Sequence, residues 1–274
     1  MPHRGVRPGH GPAVTQPSGR VLQRLVTGPT LVSRVAWFDR IGSTNAEAAR
    51  WAAQGAESGL LVLADEQTSG RGRQGRSWSA PPGTSLMGSL LLRTDRDLAL
   101  VALLPLLIGL ALAEAAEVFV SGAELSLKWP NDLLAEGRKC AGILVEAPAR
   151  GVVVVGMGVN VDWRAVDRPD ELVAATSLSE VGRGPVDRWR LLPLLIERLD
   201  RRYQGWCEDP TDFLPAYRER CATLGHDVRV EQADGTRLVG AAAGVTDGGA
   251  LLVETDAGRT VELRAGEVHH LRHR

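Results

Sequence analysis

Cysteine is scarce in this chain. Cys140, Cys207 and Cys221 are the only three among 274 residues, and no two form a C-x-x-C pair. An odd, scattered set fits reduced thiols in a cytosol better than a disulfide framework or a zinc site. Excess charge of one sign is also missing. At a formal net charge of −1, no global field draws the chain to nucleic acid or anionic lipid, so any basic footprint has to be local. No apolar run reaches the length of a bilayer. The longest, Leu98–Ala113, has 16 residues, contains Pro105 and Gly109, and runs into Glu114 and Glu117. A spanning helix wants about 20 apolar residues, so a buried core helix is expected there and no membrane partner. Residues 1–20 have no apolar core of a secretory signal, which points to a cytoplasmic protein. His269, His270 and His273 gather near the end without matching cysteine or aspartate spacing, so no metal site is expected.

What is present has the ordinary balance of a globular chain, with 44% hydrophobic and 24% charged residues. Residues 1–30 are rich in Gly and Pro without periodicity and are expected to form a disordered tail. From Ser33 the pattern becomes regular. Strands are expected at 35–38, 60–64, 85–93, 125–129, 140–147 and 152–161, the last two as an antiparallel meander because their spacing admits no crossover helix. Ser43 or Thr44 caps a helix of about ten residues that ends near Gly55. Further helices are expected over Leu98–Phe119, Leu178–Glu180, Val186–Tyr203 and Phe213–Cys221. After Leu224 apolar and polar residues alternate between Asp-Gly and Gly-Gly turns, the pattern of a small antiparallel barrel. The expected organisation is a tail at 1–30, a large unit at 31–222 and a small β unit at 223–274.

One stretch raises a chemical question. Ser69–Trp78 reads SGRGRQGRSW, and Gly70, Gly72 and Gly75 spell G-x-G-x-x-G. A dinucleotide turn needs a helix directly after the glycines, whose N-terminus holds the pyrophosphate. Pro81, Pro82 and Gly83 forbid one. No G-K-[ST] loop and no kinase signature are present either. Taken alone, the loop also admits the plainer reading of a solvated basic surface. Two further segments bear on it: KWPND, Lys128–Asp132, followed by Arg138–Glu146, and GMGVNV, Gly156–Val161, whose glycines permit close approach to the backbone.

Together these segments resemble the biotin protein ligases. The resemblance runs from Ser43 to the C-terminus and rests on S-T-N (Ser43–Asn45), Q-x-x-G-R-G-R-x-G-R-x-W (Gln67–Trp78), K-W-P-N-D, R-K-x-A-G-I-L-V-E (Arg138–Glu146) and G-x-G-x-N (Gly156–Asn160). It implies an α+β fold, with a mixed or antiparallel sheet carrying helices on one side plus a small SH3-like barrel. It implies biotin and ATP as substrates, with Mg²⁺ arriving on the ATP phosphates, and transfer of biotin to a lysine of an acyl-CoA carboxylase carrier domain. By the same resemblance Lys139, Arg71 and Arg73 are the catalytic cations. Two anions, a carboxylate and an α-phosphate, have to be brought together, and hydrogen-bonding cations stabilise the charge between them. Ser43, Thr44, Asn45, Gln67, Gly70, Gly72, Gly142 and Gly158 are implied on the biotin side, against the strands carrying Ile143 and Val159. Arg73, Arg76, Trp78, Lys128, Asn131, Asp132 and Asn160 are implied on the nucleotide side. Some family members carry an N-terminal helix-turn-helix and repress transcription. The thirty or so residues before the regular region are too few and too irregular for that domain, so neither repression nor a DNA partner is expected.

A lipoyl-type ligase would show an arginine–glycine–glycine pattern in place of GRGRxGR. A single-strand nucleic-acid binder wants aromatics on a basic groove, and residues 224–274 contain none. The loop itself carries an energetic constraint. Ordering about ten free residues costs roughly 10–20 kcal/mol, which two arginine–phosphate bonds of about 1.5–3 kcal/mol each do not offset. The loop is therefore expected to be partly ordered in advance, to be covered by ligand through Trp78, or both. Cys140, next to Lys139, is expected as a small buried hydrophobe.

Overall fold

The computed structural model describes residues 16–27, 31–167 and 170–271. Its helices are α1 (Gly19–Val26), α2 (Thr44–Ala53), α3 (Leu98–Val101), α4 (Leu104–Ala116), α5 (Leu178–Val181), α6 (Arg188–Glu208) and α7 (Leu214–Arg220). Its strands are β1 (Arg34–Ile41), β2 (Leu60–Gln67), β3 (Ser85–Arg93), β4 (Leu125–Lys128), β5 (Asp132–Ala135), β6 (Arg138–Ala149), β7 (Val152–Asn160), β8 (Asp227–Glu231), β9 (Arg237–Val245), β10 (Leu251–Glu254), β11 (Thr260–Leu263) and β12 (Glu267–His270). The fold is α+β. Seven strands form one sheet in the order β1-β2-β3-β7-β6-β5-β4, in which only β1 and β2 run parallel. The remaining five form an antiparallel sheet in the order β11-β10-β9-β8-β12, where the sequence pattern called for a small β unit.

Strand alternation gives the large sheet two unlike faces. On one, Leu61, Leu63, Leu90, Val155 and Val159 join the main core with α4 and α6. On the other, Leu60, Val62, Leu91, Val152 and Val154 are covered by Ala48 and Ala52 of α2. That helix is short and shields only part of its face. The rest of the row, where Met87, Gly158, Gly142, Asp132 and Lys128 are successive cross-strand partners, is left for the cleft.

Three expectations need correction. The tail expected over 1–30 contains α1. Ser18 caps that helix, accepting from Val21 N at 3.4 Å, and Leu25 is 1% exposed in the core against α6. Burial of one apolar stripe outweighs the local Gly/Pro composition. Residues 1–15 and 28–30, with His273, lie outside the described residues. The single helix expected over Leu98–Phe119 is two, α3 and α4. Pro105 has no N–H to return to Val101, and its ring crowds that carbonyl, so the chain turns at 102–103 before α4 begins. The 98–116 stretch is apolar and long enough to cross a bilayer by length and composition, yet α4 is buried between the sheet and α6. Finally, β5 is absent from the expected strands. It forms a hairpin with β6 through Glu136 and Gly137, both at positive φ (49° and 69°), as a two-residue primed turn requires.

Candidate active site

The N-terminus of α2 points its first side chains into the uncovered half of the sheet. Ser43 is the N-cap, accepting from Ala46 N at 3.5 Å. Gln67, the last residue of β2, accepts at Oε1 from the backbone N (2.7 Å) and the hydroxyl (3.0 Å) of Thr44. Its amide nitrogen meets the thioether of Met87 at 3.5 Å, a weak acceptor that leaves the donor ready for a better one. The hydroxyl of Ser89 lies between Thr44 Oγ1 (2.7 Å) and Asn45 Oδ1 (2.5 Å). Asn45 in turn donates to Glu146 Oε2 (2.7 Å) and to the Leu144 carbonyl (3.3 Å). Thr44, Asn45 and Ser89 are buried, so the centre of this network is shielded from water and its hydrogen bonds reinforce one another.

The cleft floor is built of glycine. Gly142 and Gly158 are cross-strand partners on β6 and β7, and the indole of Trp78 lies over both. A Cβ at Gly158 would stand 2.4 Å from Trp78 Cε2, and one at Gly142 would stand 3.0 Å from Trp78 Cζ3. Gly156 serves a different neighbour, since its Cβ would meet Asn45 Oδ1 at 2.2 Å. The two glycines of GMGVNV thus admit two protein side chains. Ile143 and Val159 belong to strands that line the cleft, but their side chains point into the opposite core. The indole Nε1 of Trp78 is buried with no hydrogen-bond partner among the described residues.

Above this floor the Gly/Arg loop is a small self-bonded hairpin. Trp78 N donates to Gly70 O (2.9 Å), Gly72 N donates to Arg76 O (2.7 Å), and Arg71 bridges Ser77. No helix follows Trp78, as the prolines required. At the tip a 3₁₀ turn, Arg73–Gly75, puts Gln74 and Gly75 at positive φ. A Cβ at Gly70 would lie 2.3 Å from the Trp78 carbonyl, whereas at Gly72 the nearest atom is 3.4 Å away. Gly70 is therefore required by the hairpin itself. Each arginine has its own anchor. Arg71 pairs with Glu146 at 3.0 Å. Arg73 donates to Asn131 Oδ1 (3.1 Å) and to the carbonyl of Gly266 (3.5 Å). Arg76 pairs with Glu267 at the start of β12.

At the far end of the floor Lys139 Nζ lies 2.7 Å from Asp132 Oδ1 and 5.7 Å from the centre of the Trp78 ring. Lys128 is the cross-strand partner of Asp132. Burial pushes the Lys128 ammonium below its ordinary pKa, with Asp132 opposing and Lys139 adding to the shift. Burial also lowers Arg73, again against Asp132. Four cations, Arg73, Arg76, Lys128 and Lys139, thus share the two carboxylates Asp132 and Glu267. The surplus is positive and partly desolvated, which suits an anionic ligand.

The structure gathers Ser43, Thr44, Asn45, Gln67, Arg71, Gly72, Arg73, Arg76, Trp78, Asn131, Lys139, Gly142 and Gly158 around one cavity. Asp132 and Lys128 stand behind Lys139, and Gly70 stands beneath Trp78. Asn160 does not line this cavity. It is buried, its Nδ2 donates to the carbonyl of Thr176 at 3.0 Å, and its Oδ1 has no partner among the described residues. Cys140 is fully buried and donates to the Asn160 carbonyl, with its thiol pushed up to about 12 by burial. It packs as a small hydrophobe. Ser89, Met87, Glu267 and Gly266, none of them marked in the sequence, are partners of the site residues. Among the described residues no group of three or more His, Cys, Asp or Glu is placed to hold a metal.

The chain as a whole is similar to known proteins. Residues 37–162 match the biotin/lipoate A/B protein ligase family, and residues 223–271 match the biotin protein ligase C terminal domain. A biotin–[acetyl-CoA-carboxylase] ligase of Mycobacterium tuberculosis is 40% identical over 236 residues, covering 84% of this chain and 86% of that protein. The bifunctional ligase/repressor BirA of Bacillus spizizenii is 35% identical over 226 residues, covering 80% and 69%. The biotin protein ligase of Aquifex aeolicus, solved in complex with biotin and ATP, superposes with a TM-score of 0.75 at 29% identity, covering 88% of this chain and 100% of that one.

Proposed function

The chain belongs to the biotin protein ligases, and from that premise we propose that it joins biotin to ATP and then transfers biotin to a lysine of a carboxylase carrier domain. A carboxylate oxygen of biotin attacks the α-phosphorus of ATP, and the bond to pyrophosphate breaks, leaving biotinoyl-5′-AMP. The carrier lysine then attacks the acyl carbon, AMP departs, and the amine gives up a proton. The observation that carries this reading is the cation cluster at one end of a glycine-floored cleft. Lys139 and Arg73 are held at the cavity, where a carboxylate and a phosphate have to meet. Such preorganised donors are worth about 10²–10³ in rate each.

The opposite end suits the neutral ureido ring, with the Gln67 amide donor and the Ser43–Asn45 turn facing it. Arg71 and Arg73 are assigned to the acid and its phosphate. Arg76, Lys128, Asn131, Asp132 and Trp78 are assigned to the nucleotide side, and so is Asn160, which stands buried at the end of β7 outside the cavity lining. Mg²⁺ enters on the ATP phosphates as part of the substrate. The catalytic unit spans 31–222 and the C-terminal unit 223–274, and the protein works in the cytoplasm. Repression is not part of this reading.

Biotin-dependent exchange of pyrophosphate into ATP tests the reading, with lipoate as the control acid. Exchange with biotin is expected, and exchange with lipoate alone overturns it.

A further inference from the structure

The backbone ladder between β2 and β3 runs only over Leu61–Ala64 and Met87–Leu90. Beyond it the two strands part to become the roots of the Gly/Arg loop, and there a single buried guanidinium takes over. Arg188, the first residue of α6, donates from Nη2 to Asp65 of β2 and from Nη1 to the carbonyl of Ser85, the first residue of β3, at 3.1 Å. The Arg188 and Asp65 side chains are 5% and 2% exposed. The indoles of Trp189 and Trp37 flank the guanidinium at 4.5 and 5.8 Å. Gln67, a cleft residue, stands two residues beyond Asp65 on β2. Met87, its contact across the cleft, ends the ladder two residues from Ser85 on β3. The grip thus sits between the ladder and the loop with a cleft residue close by on each strand.

We propose that Arg188 is a positioning residue for the ligase reaction. By fixing the separation of β2 and β3 where their ladder ends, it sets the frame from which residues 68–84 close over the adenylate. A buried ion pair is a weak source of stability but a strict geometric constraint. The planar fork of arginine is suited to hold a carboxylate and a carbonyl together. The side chain is not among those lining the cleft, so its effect passes through the loop. The proposal rests on the adenylate-forming reading above.

Two variants test it, Arg188→Lys and the double replacement Asp65→Asn with Arg188→Met, which leaves no buried charge unpaired. The readout is a ratio, free biotinoyl-AMP released per biotin transferred to the carrier, which does not depend on the fraction of folded enzyme. Amide exchange across residues 68–84 is measured alongside. Both variants are expected to raise the ratio, the double replacement by roughly tenfold, the scale of one lost charge-assisted hydrogen bond. Exchange in the loop should rise with it. A ratio at the unmodified value in folded variants overturns the proposal, as does failure of both to fold, which would make the pair purely structural. If the unmodified protein forms no adenylate at all, the reading of the site fails instead.

Discussion

Lys139 Nζ and Asp132 Oδ1 stand 2.7 Å apart on neighbouring strands at the end of the glycine floor. The ammonium is therefore held in place by a protein carboxylate before any substrate arrives. Removing it in Lys139→Ala is expected to lower biotin-dependent pyrophosphate exchange by about 10²–10³-fold. Near-normal exchange would refute its role.

Gly156 and Gly158 alternate on one strand yet face different neighbours, so their substitutions should fail differently. Gly158→Ala drives a methyl into the Trp78 indole. It should displace the loop, shift the tryptophan emission and weaken substrate binding while leaving the melting temperature nearly unchanged. Gly156→Ala strikes the buried Asn45 amide, and is expected to cost about 1–3 kcal/mol of stability by overpacking. Urea unfolding of the two proteins separates these outcomes, and equal midpoints would contradict them.

Arg73 ties the hairpin tip to Asn131 and to the C-terminal sheet at Gly266. Arg73→Gly should weaken retention of the intermediate more than its synthesis, so reactive adenylate escapes and labels bystander lysines. Proportional loss of synthesis and transfer would count against this. For the unmodified loop, amide exchange over residues 68–80 is expected to slow when biotinoyl-AMP binds.

His270 on β12 is held down to about pKa 4 by burial, then by the charge of Lys128 and by His226 stacked on it at 5.3 Å. The unfolded chain takes up this proton near pH 6.5, whereas the folded chain does so only near pH 4. Acid therefore favours the unfolded state, and stability should fall as pH drops from 6.5 towards 4. In His270→Gln that part of the pH dependence should flatten. Unfolding midpoints at pH 7 and pH 5 measure it, and an unchanged slope would exclude His270 as its source.

The sequence is most informative where chemistry and local geometry coincide. The cap at Ser43, the bounds of β3, the β6–β7 meander and the absence of a helix after Trp78 all follow from neighbouring residues. Helix α1 is hidden because its stability comes from Leu25 reaching α6, a contact that Gly/Pro-rich composition does not reveal. Strand β5 is hidden because its turn, Glu136–Gly137, is not one of the common hairpin pairs. In the site, the polar rim is legible but its supports are not. Glu146 lies 101 residues from Asn45, and Glu267 lies 191 residues from Arg76, and only the folded sheet brings each pair together.

Strand β7 reads alternately into two worlds, with Gly156 and Gly158 towards the cleft and Val155, Met157 and Val159 towards the helices. Deleting a single residue upstream in this strand would turn that order over. Met157 would then face Asn45 and Val159 would face Trp78, while glycines would line the hydrophobic core. Variants of this enzyme can thus change length in the hairpin turn at Arg150–Gly151, but not within the strand, where the reading frame of the fold and that of the chemistry are the same.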